Sequence, residues 1–197
     1  MKRIGILGDI GSGKTFVANS FGYPVFNADE EVAKLYKRNR KVFIKLKREL
    51  PKYISTFPVN KNELTKAILA NKMNLKKIVK IIHSEVRKKM NFFIRKNRGK
   101  NFLVLDIPLL LENKINKKSD ILVFVSSKKK DIYKRLKKRD NFNSILVNKL
   151  RNLQLPIAYK KKKSHFIIKN NFTKKGVNKS INRILKTIKN ERDYFRY

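Results

Sequence analysis

The chain has 197 residues, and 51 Lys plus Arg against 14 Asp plus Glu give a formal net charge of +37. That length fits one domain with insertions, and an apolar fraction of 41% excludes wholesale disorder. The absence of cysteine excludes disulfide frameworks, Cys-ligated zinc and thiol catalysis, and His83 and His165 stand too far apart to suggest a His-based metal site.

Residues 3–7 (RIGIL) read as a short buried strand running into a glycine-rich turn. Four of the seven glycines fall between positions 5 and 13. Residues 15–21 follow with helical apolar spacing. Residues 24–27 (PVFN) predict a second short strand that starts at Pro24. From Asp29 to about Leu50 one helical pattern is expected, and Pro51 and Pro58 bracket a loop. Helices are expected at 61–70 and 74–97, the second with Leu75, Ile78, Val79, Ile82, Val86, Met90 and Phe93 on one stripe. Residues 102–107 (FLVLDI) and 120–125 (DILVFV) are near-continuous apolar runs, as parallel strands covered on both faces require. Helix follows at 128–140 and at 143–163 with a break at Pro156. A short strand at 165–168 and an amphipathic helix at 173–190 end the pattern.

Strands alternating with helices predict a three-layer α/β core with a parallel sheet. The all-helical stretch from about 29 to 98 is too long for a simple crossover and reads as an insertion. No segment approaches the roughly 20 apolar residues of a membrane span, and the N-terminal apolar run is too short for a signal peptide. A cytoplasmic protein without a membrane partner is the expectation.

The charge admits two readings. One is a polyanion partner such as nucleic acid. The other is compositional drift, since Lys, Asn and Ile share A/T-rich codons, and the lysines are spread along the chain rather than gathered in one arm. Drift is favoured for most of them. Either way like charges repel, so the melting temperature is expected to rise between low and moderate salt; an unchanged value would contradict this. The scarcity of acids also makes each acid near a motif informative.

Gly8-Asp9-Ile10-Gly11-Ser12-Gly13-Lys14-Thr15 fits G-x-x-x-x-G-K-[ST] at every fixed position and sits between a predicted strand and helix. Glycine lets successive N–H groups turn inward toward phosphates, and the helix N-terminus adds positive potential. Lys14 is suited to the β- and γ-phosphates of ATP, and the Thr15 hydroxyl to Mg²⁺. The loop indicates nucleotide binding without specifying a reaction. Asp29 follows the second strand, where a carboxylate can accept the proton of an attacking hydroxyl or cap the next helix.

GDIGSGKT, NADE, DIPLLLEN and KRLKKRD, in that order, resemble the dephospho-CoA kinase family, a branch of the P-loop kinases. The matching segments are Gly8 to Thr15, Asn27-Ala28-Asp29, Pro108-Leu109-Leu110-Leu111-Glu112 and Arg135 to Asp140. RNLQ at 151–154 and IIKNN at 167–171 extend the likeness, which spans about residues 3–190. It implies a three-layer P-loop NTPase core with a helical substrate-binding insertion (about 28–98) and a helical basic lid (about 139–163). It also implies ATP-dependent phosphorylation of the ribose 3′-hydroxyl of dephospho-CoA, the last step of CoA biosynthesis, with ATP and Mg²⁺ as cofactors. Asp29 is then the expected base.

Within that resemblance Lys14, Asp29 and Arg139 are the candidate catalytic residues, with Arg139 neutralising charge on the transferred phosphoryl group. Arg135 and Asn171 join the loop in binding ATP. Arg135 and Arg139 lie on one helix face that could equally be a solvated basic surface. His83, Pro108, Leu109, Leu110 and Glu112 are the candidates for binding dephospho-CoA. His83 also fits an apolar stripe, and Glu112 also fits a salt bridge from its loop to the basic insertion. Asp106 either assists Mg²⁺ or orients the Pro108 loop. Lys160 to Lys163 read as a solvated lid face. Four departures stand out: Asn27 replaces the first acid of the family's D-A-D segment, Ser84 follows His83 in place of Pro, Ile157 and Lys160 stand in a stretch usually bearing Arg, and Phe172 replaces a glycine. The last predicts a turn of different geometry.

Alternatives from other classes are a small-molecule kinase for nucleosides, nucleotides or shikimate, a basic nucleic-acid-binding P-loop protein, and a family member that has lost turnover. The PLLLE segment and the long helical insertion argue against the first, and Asp29 with PLLLE against the second. A monomer or weak homo-oligomer is expected.

Overall fold

The computed structural model describes residues 1–138 and 142–190. Its elements run β1 (Lys2–Gly8), α1 (Lys14–Ser20), β2 (Val25–Asn27), α2 (Ala28–Arg38), α3 (Arg40–Glu49), α4 (Lys61–Ala70), α5 (Lys72–Lys96), β3 (Phe102–Asp106), β4 (Ile121–Ser126), α6 (Lys129–Lys137), α7 (Ser144–Arg151), α8 (Ile157–Lys162), β5 (Phe166–Lys169) and α9 (Lys174–Asn190). They gather into two compact units. One holds the described residues of Met1–Asn27, Asn97–Asn143 and Lys149–Tyr197, and the other holds Ala28–Lys96 with Ser144–Asn148.

The first unit carries a five-stranded sheet in the order β2-β3-β1-β4-β5, with every pairing parallel. The reason lies in its apolar runs. Ile4, Ile6, Phe102, Val104, Ile121, Val123 and Val125 belong to one buried cluster with Val17, Ala18 and Phe21 of the α1 region and Val177, Ile181, Ile184 and Ile188 of α9. The residues between them in the strands, Leu103, Leu105, Leu122 and Phe124, point to the opposite face and are buried as well. A sheet covered on both faces needs such two-sided apolar strands. Gly5 of β1 makes room on its face: a Cβ there would lie 2.5 Å from Leu110 Cδ2.

Parallel register sets all the strand C-termini along one edge. Ile6 of β1 and Asn27 of β2 both pair with Asp106 of β3. From β1 the chain goes to β2 on one side of the sheet, and from β3 to β4 on the other side of β1. The loops after adjacent strands β1 and β3 therefore diverge, which opens a crevice of the kind that binds ligands in open α/β sheets. At the other end of the strands, Arg3 holds Asp120 through a buried bidentate pair, with Nε 2.7 Å from Oδ1. That pair joins the starts of β1 and β4 and is structural.

The second unit is helical. Leu35, Val42, Leu46, Leu50, Ile54, Val59, Leu64, Ala67, Ile78 and Ile82 form its core. The single helix expected over 29–50 is two. Asn39 is extended, and its side chain accepts from Val42 N at 3.0 Å, so it ends α2 and caps α3. The β5 boundary also moves by one residue. His165 instead closes the strand entrance: its N–H donates to Leu122 O, and its Nδ1 accepts from Leu122 N, both at 2.9 Å.

Candidate active site

The loop after β1 curls because glycine permits it. Gly11 and Gly13 have φ of +83° and +88°, left-handed values that cost other residues about 1–2 kcal/mol. Space adds a second demand at Gly13. A Cβ there would meet Asn170 Nδ2 at 2.4 Å and Phe172 Cε1 at 3.0 Å. The backbone of the loop is then tied down from outside. Ser12 O accepts from Ser127 Oγ and from the buried Asn170 Nδ2, each at 2.9 Å. These donors come from the ends of β4 and β5, brought to the loop by the parallel sheet.

Lys14 opens α1 and folds back inside the curl. Its Nζ donates to Asp9 O at 2.8 Å and to Gly8 O at 3.4 Å. Ile10 N and the Arg151 guanidinium both donate to the Asp9 carboxylate, the latter at 3.3 and 3.4 Å. Asp9 thus shapes its own turn and ties the loop to the end of α7. Thr15 Oγ1 donates to Asp106 Oδ2 at 2.5 Å. A hydroxyl and a carboxylate at one spot make an oxygen donor set. Mg²⁺ favours such a set, because it takes one or two protein oxygens beside nucleotide phosphates. The residues present fit that ion.

The PLLLE loop follows β3. Pro108, Leu109 and Glu112 are partly buried, but Leu110 is fully buried against Gly5. Leu110 therefore anchors the loop to the sheet. Glu112 is salt-bridged, though to α8 of its own unit. Its Oε1 lies 2.8 Å from Lys160 Nζ and accepts from Leu155 N at 2.9 Å. Lys160 Nζ also donates to Gln154 Oε1 at 2.8 Å. The sequence reading placed Lys160 on a solvated face. Lys161, Lys162 and Lys163 are exposed, but Lys160 is 1% exposed. The sequence hides it in a run of four lysines, and nothing local marks it as the inward residue of α8.

Removing one partner of a buried ion pair strands the other. Lys160→Met is therefore expected to destabilise the protein by about 3–5 kcal/mol. Adding Glu112→Leu should recover most of that loss, since an apolar pair leaves no buried charge. Urea unfolding of the single and double variants at neutral pH checks both statements.

Of the pair Asn170-Asn171, the structure brings Asn170 to the phosphate loop. Asn171 is exposed, and its Oδ1 accepts from Thr173 N at 3.2 Å and Thr173 Oγ1 at 2.8 Å just before α9. Phe172 takes φ +61°, a left-handed value that favours glycine. Its N–H is held by Asn170 Oδ1 at 2.8 Å. Arg135, exposed on α6, lays its guanidinium 4.2 Å from the centre of the Phe172 ring. Arg139 lies outside the described residues.

In the helical unit, Asp29 is exposed in the first turn of α2, directly after β2 ends at Asn27. His83 is half-buried on α5 beside the buried Ile82. Burial, aided by the Arg87 charge, holds its imidazole below the ordinary histidine range, which favours the neutral form. Among the described residues no cluster of three or more His, Cys, Asp or Glu could hold a metal by itself, and no helix is long and apolar enough to cross a membrane.

A parallel sheet whose first strand runs into a glycine curl around a lysine is built to hold nucleotide phosphates, and it sets the chain among the P-loop nucleotide-binding proteins. Comparison with known proteins narrows this. The family model described as dephospho-CoA kinase matches residues 2–175. A dephospho-CoA kinase of Wolbachia pipientis is 36% identical over 88% of this chain and 91% of its own length. One of Bartonella quintana is 33% identical over 85% and 88%. The solved structure of the dephospho-CoA kinase from Campylobacter jejuni shares the fold, with a TM-score of 0.63 over 98% of this chain and all of that one, at 22% identity. The chain belongs to the dephospho-CoA kinase family.

Proposed function

We propose that the chain transfers the γ-phosphoryl group of ATP to the ribose 3′-hydroxyl of dephospho-CoA, giving CoA and ADP in the cytoplasm. The observation that carries this reading is the preformed phosphate loop, with Lys14 Nζ held by the carbonyls of Gly8 and Asp9. The family supplies the acceptor. In the loop, the backbone N–H groups of Gly11, Gly13, Lys14 and Thr15 bind the phosphates, and Lys14 turns from the carbonyls to the β- and γ-oxygens. Thr15 and Asp106 are the residues that would hold Mg²⁺, which neutralises phosphate charge when bound.

Asp29 takes the proton from the 3′-hydroxyl as its oxygen attacks the γ-phosphorus. The bond from phosphorus to the β-bridging oxygen breaks, and ADP leaves. Asn27, where the family has a second acid, leaves this role to a single carboxylate. Arg139 meets charge on the transferred group. Pro108, Leu109 and His83 contact dephospho-CoA, and Leu110 and Glu112 set the shape of the loop that does so. The segment from about 28 to 98 binds the acceptor, and 139–163 covers the nucleotide.

The experiment offers ATP and Mg²⁺ with dephospho-CoA, adenosine or shikimate to the purified protein. Turnover with dephospho-CoA alone supports the reading. Turnover with adenosine or shikimate alone would replace the acceptor, and ATP binding without any transfer would replace the activity. Salt-sensitive nucleic-acid binding that ignores ATP would favour the charge as a functional feature.

A further inference from the structure

We infer that Phe172 is a nucleotide-positioning residue: its ring backs the Arg135 guanidinium so that the pair forms a flat shelf for the base of the bound nucleotide. The inference rests on the phosphate loop binding ATP, and it concerns a position that the family pattern leaves as glycine.

Three observations meet at this residue. The first is its backbone. Phe172 holds φ +61°, which an aromatic residue adopts only when its surroundings impose it. Asn170 imposes it. That buried side chain donates to Ser12 O of the phosphate loop and accepts from Phe172 N, so one amide ties the Phe172 backbone to the loop. The second is position. The ring edge lies where a Cβ on Gly13 would be 3.0 Å from it, which puts Phe172 against the last glycine before Lys14. On this inference the nucleoside of a nucleotide whose phosphates fill the loop lies on this side of Gly13. The third is the partner. The Arg135 guanidinium stacks on the ring at 4.2 Å, and Arg135 is exposed.

A long arginine at the surface explores many rotamers, and fixing it on binding costs entropy. An aromatic ring beneath it removes most of that cost beforehand. The exposed face of a planar guanidinium is then ready to stack on a planar base. With glycine at 172, Arg135 would have to be ordered by the nucleotide itself. Phe172 touches the loop and the arginine, so it acts on the base through Arg135.

The test compares ADP with inorganic tripolyphosphate, both with Mg²⁺, by calorimetry on the wild type, Phe172→Gly and Phe172→Tyr. Glycine accepts φ +61° without strain, so the variant folds. Tripolyphosphate fills the loop but has no base. The expected result is that Phe172→Gly lowers the ratio of ADP to tripolyphosphate affinity about tenfold, while Phe172→Tyr keeps it. In turnover, Phe172→Gly raises KM for ATP with little change in kcat. A ratio unchanged in Phe172→Gly would overturn the inference, whether both affinities fall together or neither moves. Failure of the wild type to bind tripolyphosphate would instead overturn the assignment of the phosphate loop.

Discussion

Lys14→Ala is expected to lower kcat/KM for ATP by about 10³-fold or more, the scale seen when a charge-stabilising donor is removed from a phosphoryl-transfer or oxyanion site. In the structure the Lys14 ammonium already sits inside the curl, 2.8 Å from Asp9 O and 3.4 Å from Gly8 O. These carbonyls hold it in readiness without neutralising it. When phosphates enter, the ammonium exchanges neutral acceptors for anionic ones, which adds the attraction of opposite charges. The gain is largest where charge shifts during transfer, so kcat falls as well as affinity. The loop itself should survive the substitution. Its shape is set by Gly11, Gly13 and the two hydrogen bonds to Ser12 O. Steady-state kinetics beside a melting curve separates the two effects: lost activity with an unchanged melting temperature is expected. Activity within tenfold of wild type would remove Lys14 from the chemistry.

Asp29→Asn is expected to lower kcat by about 10²–10⁴-fold, the range for loss of a general base. KM for ATP should change little, because the loop residues that bind phosphate are untouched. Asn keeps the size of the side chain and can still cap a helix, so the change isolates proton acceptance. The substitution has a natural counterpart two residues away. Asn27 already occupies the position of the other family acid, at the end of β2 and in register with Asp106. If one carboxylate suffices, restoring the second with Asn27→Asp should leave kcat within a few fold, whereas Asp29→Asn abolishes most of it. Single-turnover assays of both variants decide the matter.

The five strands and the phosphate loop were legible because their signals are local. An apolar run between glycine turns identifies a strand without knowledge of its neighbours, and the loop motif carries its own context. The helical break at Asn39 has only a weak signal, an N-cap residue type with no acid in the turn that follows, and the apolar spacing on both sides runs through it. What the sequence hid are contacts made by topology. Arg151 reaches Asp9 across 142 residues and Asn170 reaches Ser12 across 158. The segments RNLQ and IIKNN that hold Arg151 and Asn170 match the family, but they do not tell what those side chains touch. Lys160 was hidden differently, by composition, because one buried lysine looks like the three exposed ones beside it. Phe172 is hidden as well: its identity does not announce the φ of +61° that its backbone takes, with its N–H held by Asn170 Oδ1.

The account stands on transfer to one hydroxyl of one acceptor. The most direct measurement is the position of the new phosphate, read by phosphorus–proton correlation NMR on the product formed from ATP, Mg²⁺ and dephospho-CoA. The account predicts a single product, CoA, with the phosphate on the ribose 3′-oxygen, formed by the wild type and all but lost in Asp29→Asn. A phosphate on another oxygen, or no product from a wild type that binds ATP, would contradict it.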